Sequence, residues 1–469
     1  MWPWLTSWTG CGNARSTDTR WTPVDLFLGR RVRRASRLMQ NENAVVLGAG
    51  FAGLLTAGVL TKFYRRVTVV DQDPAPSQYR RGVPQGRHAH NLLPAGARVV
   101  DEIFPGLVDE MSADGAVLAD VLSDYRFHLG GKELPRVPVG AHSVHATRPF
   151  YERHLRRRLV AQGGLRMVFG ADVVGLIGDD RRITGVRILP QEPSSSEEML
   201  NADLVVDAMG RGSRTPVWLE QLGYERPAEQ RVNVDVAYAS RLVRLPPEPD
   251  RALLIGGEVK ADGRGLLLLA VEEGQHVLTV TGVGPAARPP TDEAGFAEFV
   301  AAAAPDDVVS ALRTAEALSD VVAYRYPACR WRRYDQLAGF PDGLVVVGDA
   351  LCSLSPVNAQ GLTVAALEAR ALADTLSAGR RDVAANFFTR ATRILTAPWG
   401  MAGEPGQPAH LTQKLQGAMM SRLMAAAATD GTVAAQLIRV LALLDPPSRL
   451  MRPAVLGRAL FRRHESGEG

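Results

Sequence analysis

The sequence predicts an α/β protein in which strand–turn–helix units are interrupted by a β-rich insertion and followed by a helical region. Three segments carry that prediction. Residues 44–53, AVVLGAGFAG, run from an apolar strand into a GxGxxG turn and then into the apolar stretch 54–60. Residues 202–214, ADLVVDAMGRGSR, again break a buried strand into a Gly-rich turn. Residues 344–367, LVVVGDALCSLSPVNAQGLTVAAL, end an apolar run in Gly348-Asp349 and pass through a loop carrying Pro356. They then enter an Ala/Leu-rich helix at Gln360-Gly361.

The first segment has the layout of a Rossmann-like dinucleotide cradle. Gly48 permits the tight turn, Gly50 lets a pyrophosphate approach the backbone, and Gly53 lets helix and strand pack closely. The next strand, 67–70, delivers Asp71, 23 residues after Gly48, where a ribose-binding carboxylate is expected. No second GxGxxG is present, so only one dinucleotide has its own cradle. In the third segment, Asp349 at a strand tip is placed to accept hydrogen bonds from ribityl hydroxyls. The free N–H groups at the following helix start suit negative charge on an electron-poor ring. Taken together, the two segments assign one FAD. The middle segment, with Arg214, reads equally as a structural βα turn or as part of that site.

The organisation follows. Residues 39–118 are expected to hold the first βαβ unit and a loop, 71–90, that folds over the cofactor. Residues 119–147 alternate and turn like a hairpin that begins a β-rich substrate domain. Residues 148–213 return to the FAD-binding domain, with a helix around 151–162. Residues 214–335 alternate again, at 232–242, 252–259, 266–272 and 276–283, and are expected to form the floor of a substrate cavity, with a helical stretch at 292–318. Residues 336–378 close the flavin site. Residues 379–469 are mainly helical, at 383–395, 411–428, 432–444 and 453–463, the last with its apolar stripe packed on the body of the protein.

Composition excludes several classes. The 469 residues suffice for two or three domains, with 46% hydrophobic and 22% charged residues, as in an ordinary globular protein. No apolar run reaches the ~18 residues of a transmembrane helix. Cys11, Cys329 and Cys352 show neither paired nor metal-ligand spacing, which favours a reducing cytoplasm. The nine histidines contain no HxxxH or HExxH pattern, so no metal is expected. The basicity is local: residues 1–38 carry seven Arg and two Asp, which leaves a net −1 for the remainder of a +4 chain. No nucleic-acid partner is therefore expected. Residues 1–38 read as a disordered extension or an upstream mis-start before Met39. Membrane contact by the basic, apolar last helix is disfavoured against simple packing.

The order of the three segments resembles the FAD-dependent monooxygenases of the para-hydroxybenzoate hydroxylase type, over about residues 42–465. Within that group, RRGVPQGRHAH (80–90), YPACRWRRY (326–334) and GDALCSLSP (348–356) resemble the actinobacterial branch of polyether epoxidases. The resemblance implies a glutathione-reductase-type flavoprotein fold, with FAD at Gly48, Gly50, Gly53 and Asp71. It places Asp349 on the ribityl chain, Gly361 near the pyrimidine edge and Arg148 among the groups that hold the cofactor. Arg81, Pro356 and Gln360 complete the candidate set. Two departures stand out: Met209-Gly210 where an Asp-Gly pair is usual, and Ala359 where the common motif has glycine.

The implied function is oxygenation, as epoxidation or hydroxylation, of a hydrophobic and polyketide-like molecule through a flavin C4a-hydroperoxide. NAD(P)H would dock transiently, using Arg80, Arg81 or Arg211. No residue is assigned a catalytic role of its own. The absence of an evident carboxylate or His pair acting as a base mildly favours alkene epoxidation. A flavin halogenase would carry a Trp-x-Trp-x-Ile-Pro segment, which is absent. A second class is the FAD-containing non-redox cyclases of spirotetronate pathways, to which the Met209 and Ala359 departures point.

Overall fold

The computed structural model describes residues 42–74, 80, 82–129, 132–246, 254–257, 262–401 and 411–461. The segment 1–38 and the candidate site residue Arg81 lie outside these.

A five-stranded parallel sheet lies at the heart of the nucleotide-binding half. Its order is Leu344–Val346, Leu204–Asp207, Asn43–Leu47, Arg66–Asp71, Leu165–Phe169. Val45, Val46, Leu47, Val205 and Val206 are buried, because parallel strands covered on both faces read as continuous apolar runs. The helix Phe51–Leu60 leaves the central strand with nine of its ten residues buried. It packs against the long helix Gly361–Ala378. A helix apolar on all sides belongs in such an enclosed position.

Backbone geometry explains two of the three glycines in the first turn. Gly48 has φ +98°, and a Cβ there would lie 2.7 Å from the Ala208 carbonyl oxygen. A Cβ on Gly53 would lie 1.9 Å from the Gly48 carbonyl oxygen. The strand order reverses around Asn43–Leu47, which leaves a crevice beyond the carboxyl ends of the strands.

A nine-stranded sheet forms the second body. Its long central strands are Glu229–Arg244, Gln275–Val283, Arg264–Val271 and Val322–Arg332, joined by Leu254–Gly257 and Tyr125–Leu129. Helices Glu293–Ala303 and Asp306–Arg313 cover part of it through Phe296, Phe299, Val300 and Val308. The single helical stretch expected over 292–318 is thus two helices parted at Pro305, with Glu316–Ala317 returning as a strand. Proline lacks an amide proton and disfavours helix in the residue before it, so it begins the second helix rather than continuing the first.

A three-stranded antiparallel sheet, Ala171–Gly178, Ile183–Pro190 and Glu198–Asn201, has no counterpart in the sequence reading. C-terminal helices Leu411–Ala427, Gly431–Leu441 and Pro453–Phe461 bury Leu423, Val433, Leu437 and Val455 in one cluster with Val121, Leu122 and Leu134. Among the described residues no helix is long and apolar enough to cross a membrane.

Candidate active site

A cavity of about 990 Å³ runs from the crevice of the parallel sheet to the apolar faces of the nine-stranded sheet and the C-terminal helices. Gly48, Gly50, Asp71, Arg148, Asp349, Pro356, Gln360 and Gly361 all line it. Gly53 sits one turn behind, holding the helix against Gly48.

At the nucleotide end, Asp71 terminates its strand and is buried. Its Oδ2 accepts the Ala49 N–H at 2.5 Å and its Oδ1 accepts the Asp73 N–H at 2.9 Å. Arg80 lies across it. The Arg80 guanidinium pairs with Asp71, with Asp73 at 3.1 Å and with Glu152 at 3.0 Å, and donates to the Ala49 carbonyl at 2.8 Å. Glu152 also accepts from Arg148 Nε at 2.7 Å. Burial alone would push the Glu152 carboxyl up, yet Arg148 and Arg80 hold it below the usual range. Arg80 was expected to be available for NAD(P)H. Three carboxylates occupy it instead, and only 9% of its side chain is exposed.

The site fits FAD on two observations. A Cβ on Gly50 would meet nothing closer than Arg148 Nη2 at 3.7 Å, so open space lies over the start of the helix with a guanidinium beside it. This is a cradle for a diphosphate. The Asp349 carboxylate, beyond Gly348 (φ +63°), has no hydrogen-bond donor among the described residues and is free to accept from hydroxyls. Burial pushes that carboxyl up, against the pull of Arg211 and Arg148.

Beyond Asp349, Pro356–Asn358 forms a single tight turn that ends at Ala359 with φ +51° and ψ 25°, a left-handed conformation that costs a residue with a Cβ about 1–2 kcal/mol. Gln360 is buried and turned toward the C-terminal helices. Its Nε2 donates to the Leu441 carbonyl at 3.1 Å and contacts Met401 Sδ at 3.3 Å, while its buried Oε1 has no partner among the described residues. Gly361 opens the 18-residue helix, and a Cβ there would meet nothing within 4 Å.

The turn after Leu204–Asp207 is organised by Asp207, which accepts from the Met209 N–H at 2.9 Å, from Thr215 Oγ1 at 2.7 Å and from Ser213. Arg211 stacks over the Tyr326 ring at 4.1 Å and donates to Ser353 at 2.9 Å. Arg214 and Met209 line the cavity.

At the far end, His88 is 5% exposed and its Nδ1 bonds Ser240 Oγ at 2.8 Å. Ser240 Oγ in turn bonds Thr279 Oγ1 at 2.7 Å, which accepts from the Ala89 N–H at 3.2 Å. Tyr238 meets the His88 ring edge-on at 4.8 Å, and Tyr324 lies at 5.9 Å. Leu267, Met424, Leu437 and Leu441 close this end. Sequence reasoning missed Glu152, Glu368 and the His88 chain. The RHAH run was the available signal for the last, but its partners lie 152 and more residues away.

These features define a dinucleotide-binding flavoprotein of the type in which a parallel-sheet domain faces a large, mainly antiparallel sheet across the cofactor cavity. The chain belongs to the FAD binding domain family, which matches residues 42–386. It is 36% identical over 449 residues to Protein Rv3254 of Mycobacterium tuberculosis, covering 89% of this chain and 93% of that one. Solved structures of similar fold include a triple mutant of the flavin-dependent brominase Bmp2, with TM-score 0.62, 16% identity, and 89% and 97% of the two chains covered. The p-nitrophenol 4-monooxygenase PnpA of Pseudomonas putida aligns with TM-score 0.57 at 17% identity, covering 90% and 99%. PqsL of Pseudomonas aeruginosa, a probable FAD-dependent monooxygenase, aligns with TM-score 0.57 at 17% identity, covering 84% and 98%. At such identities the likeness to solved structures is one of fold.

Proposed function

We propose that this chain is an FAD-dependent monooxygenase that takes electrons from NAD(P)H and delivers one atom of O2 to a hydrophobic, polyketide-like molecule by epoxidation or hydroxylation. The observation that carries this reading is the continuity of the cavity from the diphosphate cradle at Gly50 to an apolar chamber under Leu437 and Leu441. Bound FAD supplies oxygen activation and transfer. The chain supplies the rest. Gly48, Gly50 and Gly53 shape the nucleotide cradle, Asp71 and Arg148 flank it, and Asp349 would accept from the ribityl hydroxyls. The helix start at Gly361 offers free N–H groups that would suit negative charge on the flavin ring. Leu267, Met424 and Leu437 exclude water from the reacting end.

Burial keeps the cavity-lining His88 neutral, with its pKa pushed down to about 4, and raises the phenol pKa values of Tyr238 and Tyr324. No strong base thus stands among these groups, which favours alkene epoxidation over hydroxylation of a phenol. The resemblance to polyether epoxidases points the same way. Hydrophobic alkenes added to the purified holoenzyme are expected to stimulate NAD(P)H oxidation with matching O2 uptake.

A second reading, a non-redox cyclase holding FAD as a structural element, draws on Ala359. Its left-handed backbone beside the flavin position stiffens a loop where glycine would allow movement. Product formation under anaerobic conditions without NAD(P)H would decide for the cyclase and against the oxygenase.

A further inference from the structure

We infer that His88 presents a fixed Nε2–H donor to the substrate, and that the hydrophobic molecule taken into this cavity carries a carbonyl oxygen. The inference rests on the proposed reading only in taking the chamber beside Tyr238 and Tyr324 as the substrate's place.

The argument starts from the direction of a hydrogen-bond chain. Ser240 and Thr279 stand directly opposite each other on neighbouring antiparallel strands. The Ala89 N–H can only donate, so Thr279 Oγ1 accepts from it. The Thr279 hydroxyl proton then goes to Ser240 Oγ, and the Ser240 proton goes to His88 Nδ1. Run the other way, the Thr279 proton has no acceptor among the described residues. The first direction leaves one group, His88 Nε2–H, without a partner among the described residues, whereas the reverse leaves two, the Thr279 hydroxyl proton and the Nε2 lone pair, and a buried unpaired polar group costs about 1–3 kcal/mol.

An imidazole that is neutral and accepts at Nδ1 must carry its proton on Nε2. Burial keeps the ring neutral through the physiological range. Among the described residues His88 Nε2 has no hydrogen-bond partner, while the ring lines the cavity between Tyr238 and Tyr324. A neutral donor in an apolar chamber suits a neutral acceptor, and the carbonyl is the acceptor most compatible with a hydrophobic frame. A buried donor also discriminates: a ligand lacking the oxygen leaves Nε2–H unpaired. The flavin carries carbonyls too. Ser240, Thr279, Tyr238 and Tyr324, which surround the ring, all belong to the nine-stranded sheet, and a ketone added to the FAD-loaded enzyme separates substrate from flavin as the acceptor.

The test uses FAD-loaded enzyme labelled with 15N-histidine, with the His88 signals assigned by their loss in His88→Phe. The expected spectrum has a proton on Nε2 and none on Nδ1, and the Nε2–H signal moves when 2-acetylnaphthalene is added. 2-Acetylnaphthalene is expected to bind about tenfold more tightly than 2-ethylnaphthalene, the difference of one hydrogen bond. That ratio falls to about one in His88→Phe, and Ser240→Ala lowers it by releasing the tautomer. A proton on Nδ1 overturns the inference, as does an Nε2–H signal that ignores the ketone. A signal that moves only on FAD loading assigns the donor to a flavin carbonyl and also overturns it. All of these readouts are made without turnover, so they stand or fall separately from the oxygenase reading, which fails through absent O2 uptake.

Discussion

The backbone N–H of Gly348 donates to the Glu368 carboxyl at 2.5 Å, which ties the turn bearing Asp349 to the middle of the long flavin-side helix. Glu368 is fully buried, and its second oxygen has no partner among the described residues. Burial, with the nearby Asp349 adding to it, raises its pKa to about 8, against the opposing pull of the Gly348 bond. The acid is therefore protonated in the folded protein at neutral pH, where an unfolded chain would hold it ionised. The folded state then binds more protons, so stability falls as pH rises from about 4.5 toward 8, by up to about 1.4 kcal/mol per unit. Glu368→Gln keeps an acceptor for Gly348 and removes the titration. Denaturant unfolding of the wild type and variant should show the variant's advantage widening across that window. Parallel curves would refute the assignment.

Asp349 has no donor among the described residues, and in the proposed site its contribution would be made to bound FAD. Hydrogen bonds to a charged acceptor contribute about 1.5–3 kcal/mol, which corresponds to roughly 10–100-fold in affinity. Asp349→Ala is expected to weaken FAD binding by that factor while leaving the apo fold intact. Flavin absorption retained through gel filtration, against circular dichroism of the apoprotein, separates the two effects.

What was legible in the sequence is what local chemistry dictates. The Gly48 turn, the Asp71 and Asp349 strand tips and the Gly361 helix start each declare themselves within a few residues, because a turn or a helix end has its own residue requirements. What stayed hidden depends on distant partners. Arg80 meets Glu152 across 72 positions, and only the fold shows that its charge is consumed. Glu368 lies in a stretch whose pattern does not distinguish a buried acid from a solvated one. The strands Ala171–Gly178 and Ile183–Pro190 bury residues without strict alternation, so no period-two signal marks them in the sequence.

Gly50 and Gly53 should separate cofactor binding from folding. A Cβ on Gly50 finds 3.7 Å of clearance within the protein, so Gly50→Ala should fold normally and lose FAD affinity, because the methyl stands where a diphosphate would approach. A Cβ on Gly53 would lie 1.9 Å from the Gly48 carbonyl oxygen, so Gly53→Ala must move helix and strand apart. Its apoprotein should melt well below the wild type. Equal melting temperatures for the two apo variants would contradict this division.

Arg80 joins the nucleotide site to the fold. Its guanidinium reaches Asp71, Asp73 and Glu152 together, and all three carboxylates are buried. Among the described residues Arg80→Ala leaves Arg148, which bonds Glu152, and the more distant Arg156 to compensate them. Removing one member of a buried ionic cluster costs about 3–5 kcal/mol, because the remaining charges stay desolvated without their counterpart. Arg80→Lys is expected to recover little of this. A planar fork serves several acceptors at once, and an ammonium acts as a single point charge. Equilibrium denaturation of the apoproteins checks both expectations. Full recovery by lysine would mean that net charge, rather than the fork, holds Asp71 in place.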